Sequence, residues 1–199
     1  MKKIMFNDKY SLTQAVLDGR KTMTRRISKE QIRNSVFWKS GYESIHGYEI
    51  KPIYKISELV AIAQCYESLG MNPEIALNDR DGIGFYTKTK FAPGWKNKMF
   101  VRADLMLHHI RITNIKIERL QDISDEDCLR EGVELNTRQY EYDGTKKYCV
   151  CGLGHWRAIG CTDFDTPREA FAALIDKVSD KGTWESNPYV FVYEFELID

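Results

Sequence analysis

Apolar positions along this chain follow two periods, and the changes of period mark its elements. From Tyr189 to Leu197 the odd positions Tyr189, Phe191, Tyr193, Phe195 and Leu197 alternate with Val190, Val192, Glu194 and Glu196, the two-residue repeat of a strand. Upstream, Phe171, Leu174, Ile175 and Val178 recur at helical spacing after Thr166-Pro167-Arg168-Glu169. That tetrapeptide combines an N-cap Thr, Pro at the first helical position and Glu three residues on, and Gly182 is the expected stop. Ser11 followed by Leu12, Ala15, Val16 and Gly19 predicts a short helix, with residues 22–27 leaving it as a strand. Leu59 to Ala63 suits a buried strand, and Met99-Phe100-Val101 and Ile110-Arg111-Ile112 read as strand. Ile115-Lys116-Ile117 continues the second of these with its apolar phase switched, which a bulge near Thr113-Asn114 would explain. Ser124 caps a first turn of Asp125, Glu126 and Asp127, with Gly132 as the stop. Residues 28–57 show no clean period, Met71 to Gly94 is loop-like, and 135–165 resembles an insertion. With no βαβ rhythm, the expected class is α+β: a small, mostly antiparallel barrel or sheet with short peripheral helices.

Composition narrows the function classes. The 199 residues fit one domain carrying sizeable insertions, about 28–94 and 135–164. Lys plus Arg number 29 and Asp plus Glu 29, so the formal net charge is zero and a basic nucleic-acid coat is excluded. Any nucleic-acid contact must come from a local patch, and nothing signals DNA in particular. Five cysteines, an odd number, do not read as a disulfide framework. The apolar run from Leu59 to Tyr66 is too short to span a bilayer and Ile4-Met5-Phe6 too short for a signal-peptide core, so the cytoplasm is the expected location. Cys149, Cys151, His155 and Cys161 form C-x-C-x3-H-x5-C, four soft ligands that could bind zinc, but the spacing is not an established one; reduced thiols in an inserted loop are the expected reading, with no metal or cofactor required. His108-His109 reads as a structural pair with one ring inward and one outward. Nothing in the sequence speaks to oligomeric state.

The densest chemistry lies in Gly19-Arg20-Lys21-Thr22-Met23-Thr24-Arg25-Arg26, four cations interleaved with two hydroxyls. Cations hold phosphate and threonine hydroxyls contact phosphate or base edges, although a basic turn after a helix is commonly a solvated face. This octapeptide resembles the G-x-K-x-x-[T/E]-x-R signature of the ASCH family (activating-signal-cointegrator homology domains). The lead-in from Phe6, the run Ile112 to Ile123, the Ser124–Gly132 helix and the close of the chain are also similar to bacterial and phage ASCH proteins. The family's usual Gly-Asp before a Leu-Trp-Val strand is not evident; Ser57-Glu58 stands before Leu59-Val60. The resemblance implies a PUA-like β-barrel and binding of RNA or a modified nucleoside. Its small bacterial branch implies an amidohydrolase removing the acetyl group of N4-acetylcytidine with a Lys, a Thr and a Glu, which fall on Lys21, Thr24 and Glu131.

The chemistry those types support is direct. A Thr hydroxyl attacks an amide only if a base takes its proton, and a lysine can serve if desolvation or neighbouring cations lower its pKa. Glu131 would orient the lysine or pass a proton to the leaving amine. Arg20, Thr22, Arg25 and Arg26 are expected to hold the ligand or brace the lysine, with Trp95 as a stacking surface beside Lys98. The alternatives are a non-catalytic RNA-binding module and a protein-interaction module. One geometric obstacle is explicit: in a regular strand residues 21 and 24 point to opposite faces.

Overall fold

The computed structural model describes residues 1–28, 42–44, 46, 49–70, 93–153 and 162–199. In chain order the elements are β1 (Lys2–Ile4), α1 (Leu12–Leu17), β2 (Met23–Ile27), β3 (Tyr42–Glu43), β4 (Glu49–Ile50), β5 (Leu59–Ile62), β6 (His109–Arg119), α2 (Asp125–Arg130), β7 (Glu134–Leu135), α3 (Thr137–Asp143), β8 (Tyr148–Cys149), α4 (Pro167–Val178), α5 (Thr183–Ser186) and β9 (Tyr189–Leu197). Five strands hydrogen-bond in the order β1-β5-β6-β9-β2, and two further pairs, β3–β4 and β7–β8, stand alone. Among the described residues β1–β5 is parallel, and β2–β9, β3–β4, β5–β6 and β7–β8 are antiparallel. The chain is α+β with a mostly antiparallel sheet. Among the described residues no pairing closes that sheet into a barrel.

The chain divides into two compact units. The first comprises Met1–Phe6, Leu59–Arg111 and Leu197–Asp199. Its buried residues include Ile4, Val60, Ala61, Ile62, Tyr66, Val101, Met106 and Ile110. Here the strand expected at Met99-Phe100-Val101 is corrected. Lys98–Phe100 is a 3-10 turn capped by the Asn97 side chain, and Met99 and Phe100 are 57% and 59% exposed. The cause is distant in sequence: the Lys3 ammonium donates to the carbonyls of Lys98, Met99 and Val101, acceptors that a strand partner would have needed. His108 and His109 both meet Asp199, through its backbone and its carboxylate respectively, so the inward–outward split is replaced by two half-buried rings on one residue.

The second unit, Asn7–Glu58 and Ile112–Glu196, contains the basic motif. β9 is buried on both faces from Val190 to Tyr193. β6 is continuous, with its alternation broken where Thr113 and Asn114 are both exposed. α4 begins with the expected capping box, Thr166 accepting the Glu169 N–H and Glu169 the Thr166 N–H. It ends at Val178, before Gly182, because the Asp176 carboxylate accepts the N–H groups of Gly182 and Trp184 and starts α5 there. α3 lies within the insertion-like stretch 135–164. Much of the two insertion-like segments, 71–92 and 154–161 included, lies outside the described residues, together with Trp38, Trp156, His155 and Cys161.

Candidate functional site

The motif enters from α1, which Gly19 terminates with φ +72°, a conformation L side chains rarely adopt. Lys21 and Thr22 do not continue a strand. The Lys21 N–H donates to the Ala15 carbonyl at 2.8 Å, the Thr22 N–H to the Arg130 carbonyl at 3.1 Å, and the Thr22 carbonyl accepts the Phe195 N–H at 2.9 Å. Two residues thus join the end of α1, the end of α2 and β9. Gly132 permits the closeness: at φ +105° it ends α2, and a Cβ there would meet Leu12 at 3.0 Å and the Lys21 stem at 3.7 Å.

Against that junction lies a sealed ionic cluster. Lys21 Nζ donates to Glu131 Oε2 at 2.6 Å and to the Glu131 carbonyl at 2.7 Å, with the two side chains 2% and 5% exposed. Glu131 Oε1 accepts from Arg25 Nη1 at 3.1 Å, so each carboxylate oxygen serves a different cation. Arg25 also donates to Glu118 from Nε and Nη2, to Asp127 from Nη2 at 3.0 Å, and to the Met23 sulfur from Nη1. Those bonds occupy all five guanidinium N–H groups. Lys116 reaches Glu118 and Asp127 from the more exposed side and Arg130 bridges Asp127 to Glu194, so four cations face four carboxylates.

Electrostatics follow from this packing. Burial pulls the Lys21 pKa below its ordinary value; the Glu131 carboxylate opposes, while the Arg26 and Arg25 charges add to the depression. Burial disfavours the Arg25 cation, yet Glu131, Glu118 and Asp127 together raise its pKa. Burial depresses Arg26, against Tyr54, Glu131 and Tyr193.

β2 pairs with β9 so that Thr24 lies opposite Tyr193 and Arg26 opposite Phe191, while Met23 and Arg25 share the other face with Glu194 and Val192. Lys21 and Glu131 feel both Arg25 and Arg26, which point to opposite faces. Lys21 itself precedes β2, which begins at Met23. Thr24 is 5% exposed, and its hydroxyl has no hydrogen-bond partner among the described residues, without being one of the fully sealed polar atoms. The charges of the cluster are matched, whereas this hydroxyl is unmatched among the described residues.

The remaining expected residues distribute differently. Arg20 is 40% exposed and paired with Asp18 and Glu134, at the outer end of the motif. The Thr22 hydroxyl accepts from Arg130 Nε at 3.1 Å. Of the two roles left open for the arginines, bracing is the one Arg25 fills, because it has no donor left for a ligand. Arg26 is half-buried on the Thr24 face. Trp95 packs against the core cluster of the first unit, and the Lys98 ammonium donates to the Phe6 carbonyl in that same unit. The pattern of residues missed Asp127, Glu118 and Tyr54. Asp127 precedes Glu131 by one helical turn and was findable on that ground. Tyr54 lies in an aperiodic stretch that carried no signal.

Among the described residues no group of His, Cys, Asp and Glu is arranged to hold a metal, and no helix is long and apolar enough to cross a membrane. Burial pushes the Cys128 thiol up to about 12, too high for a thiolate nucleophile at neutral pH. Comparisons of the sequence with protein-family models, with curated proteins and with solved structures each find no match.

Proposed function

We propose that this chain is an ASCH-type domain, its sheet belonging to a PUA-like barrel, that takes an N-acylated cytidine at Lys21, Thr24 and Glu131 and hydrolyses its amide. The observation that carries the reading is a buried lysine, three residues before a Thr24 hydroxyl with no partner among the described residues, whose pKa is depressed and whose carboxylate partner is itself held by Arg25. In this mechanism Lys21 first cedes a proton to Glu131, and the neutral amine then accepts the Thr24 hydroxyl proton as Oγ1 attacks the acyl carbon. The C–N bond then breaks, the amine leaves with a proton relayed from Lys21 through Glu131, and an acyl ester remains on Thr24. Water hydrolyses that ester, releasing acetate and restoring the hydroxyl. Amide and water are consumed, amine and carboxylic acid are formed, and neither redox step nor metal enters.

The ion pairs favour a neutral ligand over a phosphate backbone. Arg20, Lys21 and Arg25 are all neutralised by carboxylates, so the motif is not the cationic patch its sequence suggested. A modified nucleoside, free or exposed in RNA, fits better than duplex binding.

The test is a chromatographic assay with N4-acetylcytidine. The parent protein releases cytidine and acetate. Thr24→Ala abolishes release while its unfolding midpoint stays near the parent's. The rate rises with pH through a value below the ordinary lysine range of about 10.4. A folded parent with no turnover, binding RNA in a salt-dependent way, would replace this with the binding-module reading.

A further inference from the structure

The Lys21 side of the site accounts for proton transfer and leaves open what receives the acyl group. On the Thr24 face of β2, cross-strand pairing places Tyr193 beside Thr24 and Phe191 beside Arg26. Phe191 and Tyr193 stack with ring centroids 6.2 Å apart, and Tyr54 meets Tyr193 edge-on at 5.1 Å with an interplanar angle of 78°. Tyr54 is held there by β9: the Tyr193 phenol oxygen accepts the Ile53 N–H at 2.9 Å, pinning the segment that carries it. Tyr54 and Tyr193 are both buried. An aromatic corner of this kind is ordinary core packing wherever its polar neighbours are satisfied. Here its neighbour is the Thr24 hydroxyl, which has no partner among the described residues, and the next residue on that face is the Arg26 cation.

We propose that Tyr54 is a specificity-determining residue of this site, its ring forming the wall that limits the size of the acyl group presented to Thr24, with Arg26 facing the carbonyl oxygen. This rests on the amidohydrolase reading and adds to it a size filter and an electrostatic role. When Thr24 Oγ1 bonds to the acyl carbon, the carbonyl π pair moves onto oxygen, and the charge that develops is stabilised by a cation already fixed on the same face. When that pair returns, the C–N bond breaks and the amine leaves with its proton by the route through Lys21 and Glu131. Tyr54 takes no part in the proton balance. It sets the space, and an apolar wall discriminates by about 10–200-fold per methylene.

The experiment compares kcat/KM for N4-acetylcytidine and N4-benzoylcytidine in the parent, Tyr54→Phe and Tyr54→Leu, with thermal unfolding followed alongside. The parent is expected to favour the acetyl substrate, Tyr54→Phe to keep that preference, and Tyr54→Leu to shift the ratio toward benzoyl by about tenfold or more. A general loss of packing would lower both rates together, so the ratio separates a wall from a merely structural ring. An unchanged ratio in folded Tyr54→Leu, with the parent active, overturns the wall and leaves the amidohydrolase reading standing. A parent that hydrolyses neither substrate overturns both. Arg26→Gln should lower kcat by about a hundredfold with KM held; an unchanged kcat removes the guanidinium from the proposal.

Discussion

Arg20 and Arg25 belong to one motif and both meet carboxylates, but they stand in different solvents. Arg20 and its partners Asp18 and Glu134 are each about 40% exposed, so water competes for every bond they make. Arg25 is 1% exposed, its five donors all have acceptors, and all three of its carboxylates are shared with a lysine, Glu131 with Lys21 and both Glu118 and Asp127 with Lys116. The difference lies in what the chain brings over each residue. α2 and the end of β6 deliver Asp127, Glu131 and Glu118 over Arg25, whereas Arg20 projects from the turn after α1. A cation-rich motif is therefore not one surface. Its outer end is solvated, its inner end is a buried ionic lattice, and the Thr24 hydroxyl, between them in sequence, has no partner among the described residues.

The sharpest break of this comparison is Glu131→Ala. It leaves Lys21 and one Arg25 donor buried without their anion, which is expected to cost about 3–5 kcal/mol, read as a large drop in urea midpoint at constant m. The double variant Lys21→Met/Glu131→Met removes charge on both sides and should lose less than Glu131→Ala alone. If the double variant is the less stable, the pair contributes through something other than mutual neutralisation.

A smaller effect is expected at the rim of the same lattice. Burial raises the Asp127 pKa, but the Arg25 hydrogen bond and charge, with Lys116, outweigh it and hold the carboxyl below its ordinary value. A carboxyl depressed on folding stabilises the folded state above its unfolded pKa and loses that contribution as pH falls through the folded one. Asp127→Asn should therefore cost about 1–3 kcal/mol at neutral pH. The difference from the parent should shrink as pH drops below about 3.9. A deficit that stays constant down to acid would mean lost packing in place of a lost charge.

The same contrast between local and distant causes governs what the sequence made legible. The capping box at Thr166 and the alternation of β9 are written in neighbouring residues, and both stand as expected. The turn at Lys98–Phe100 was misjudged because Lys3, almost a hundred residues earlier, supplies its hydrogen-bond donor. The helix after Thr166 runs short because Asp176 starts a new one, a competition that apolar spacing does not encode. Within the site, Lys21 and Glu131 were named from the motif and they do meet. The parity problem with Thr24 belongs to a regular strand, and β2 begins only at Met23. Tyr54 was invisible: its place depends on a phenol of β9 that no period connects to it.

Arg20→Gln is the mildest test and the most discriminating for the solvated end. Exposed ion pairs contribute about 0–1 kcal/mol, since Coulomb attraction in water is weak and two long side chains lose freedom in meeting. Glutamine keeps the aliphatic stem and a donor, so the expected change in urea midpoint is at or below about 0.5 kcal/mol. Raising the salt to 1 M, where the Debye length is about 3 Å, should erase even that. Acyl-cytidine turnover should be unchanged as well, because Arg20 is held by Asp18 and Glu134, away from the Lys21–Glu131 pair. A substantial loss of turnover with stability intact would return Arg20 to the ligand and make the outer end of the motif part of the site; a substantial loss of stability would show that its pairing with Glu134 holds β7 in place.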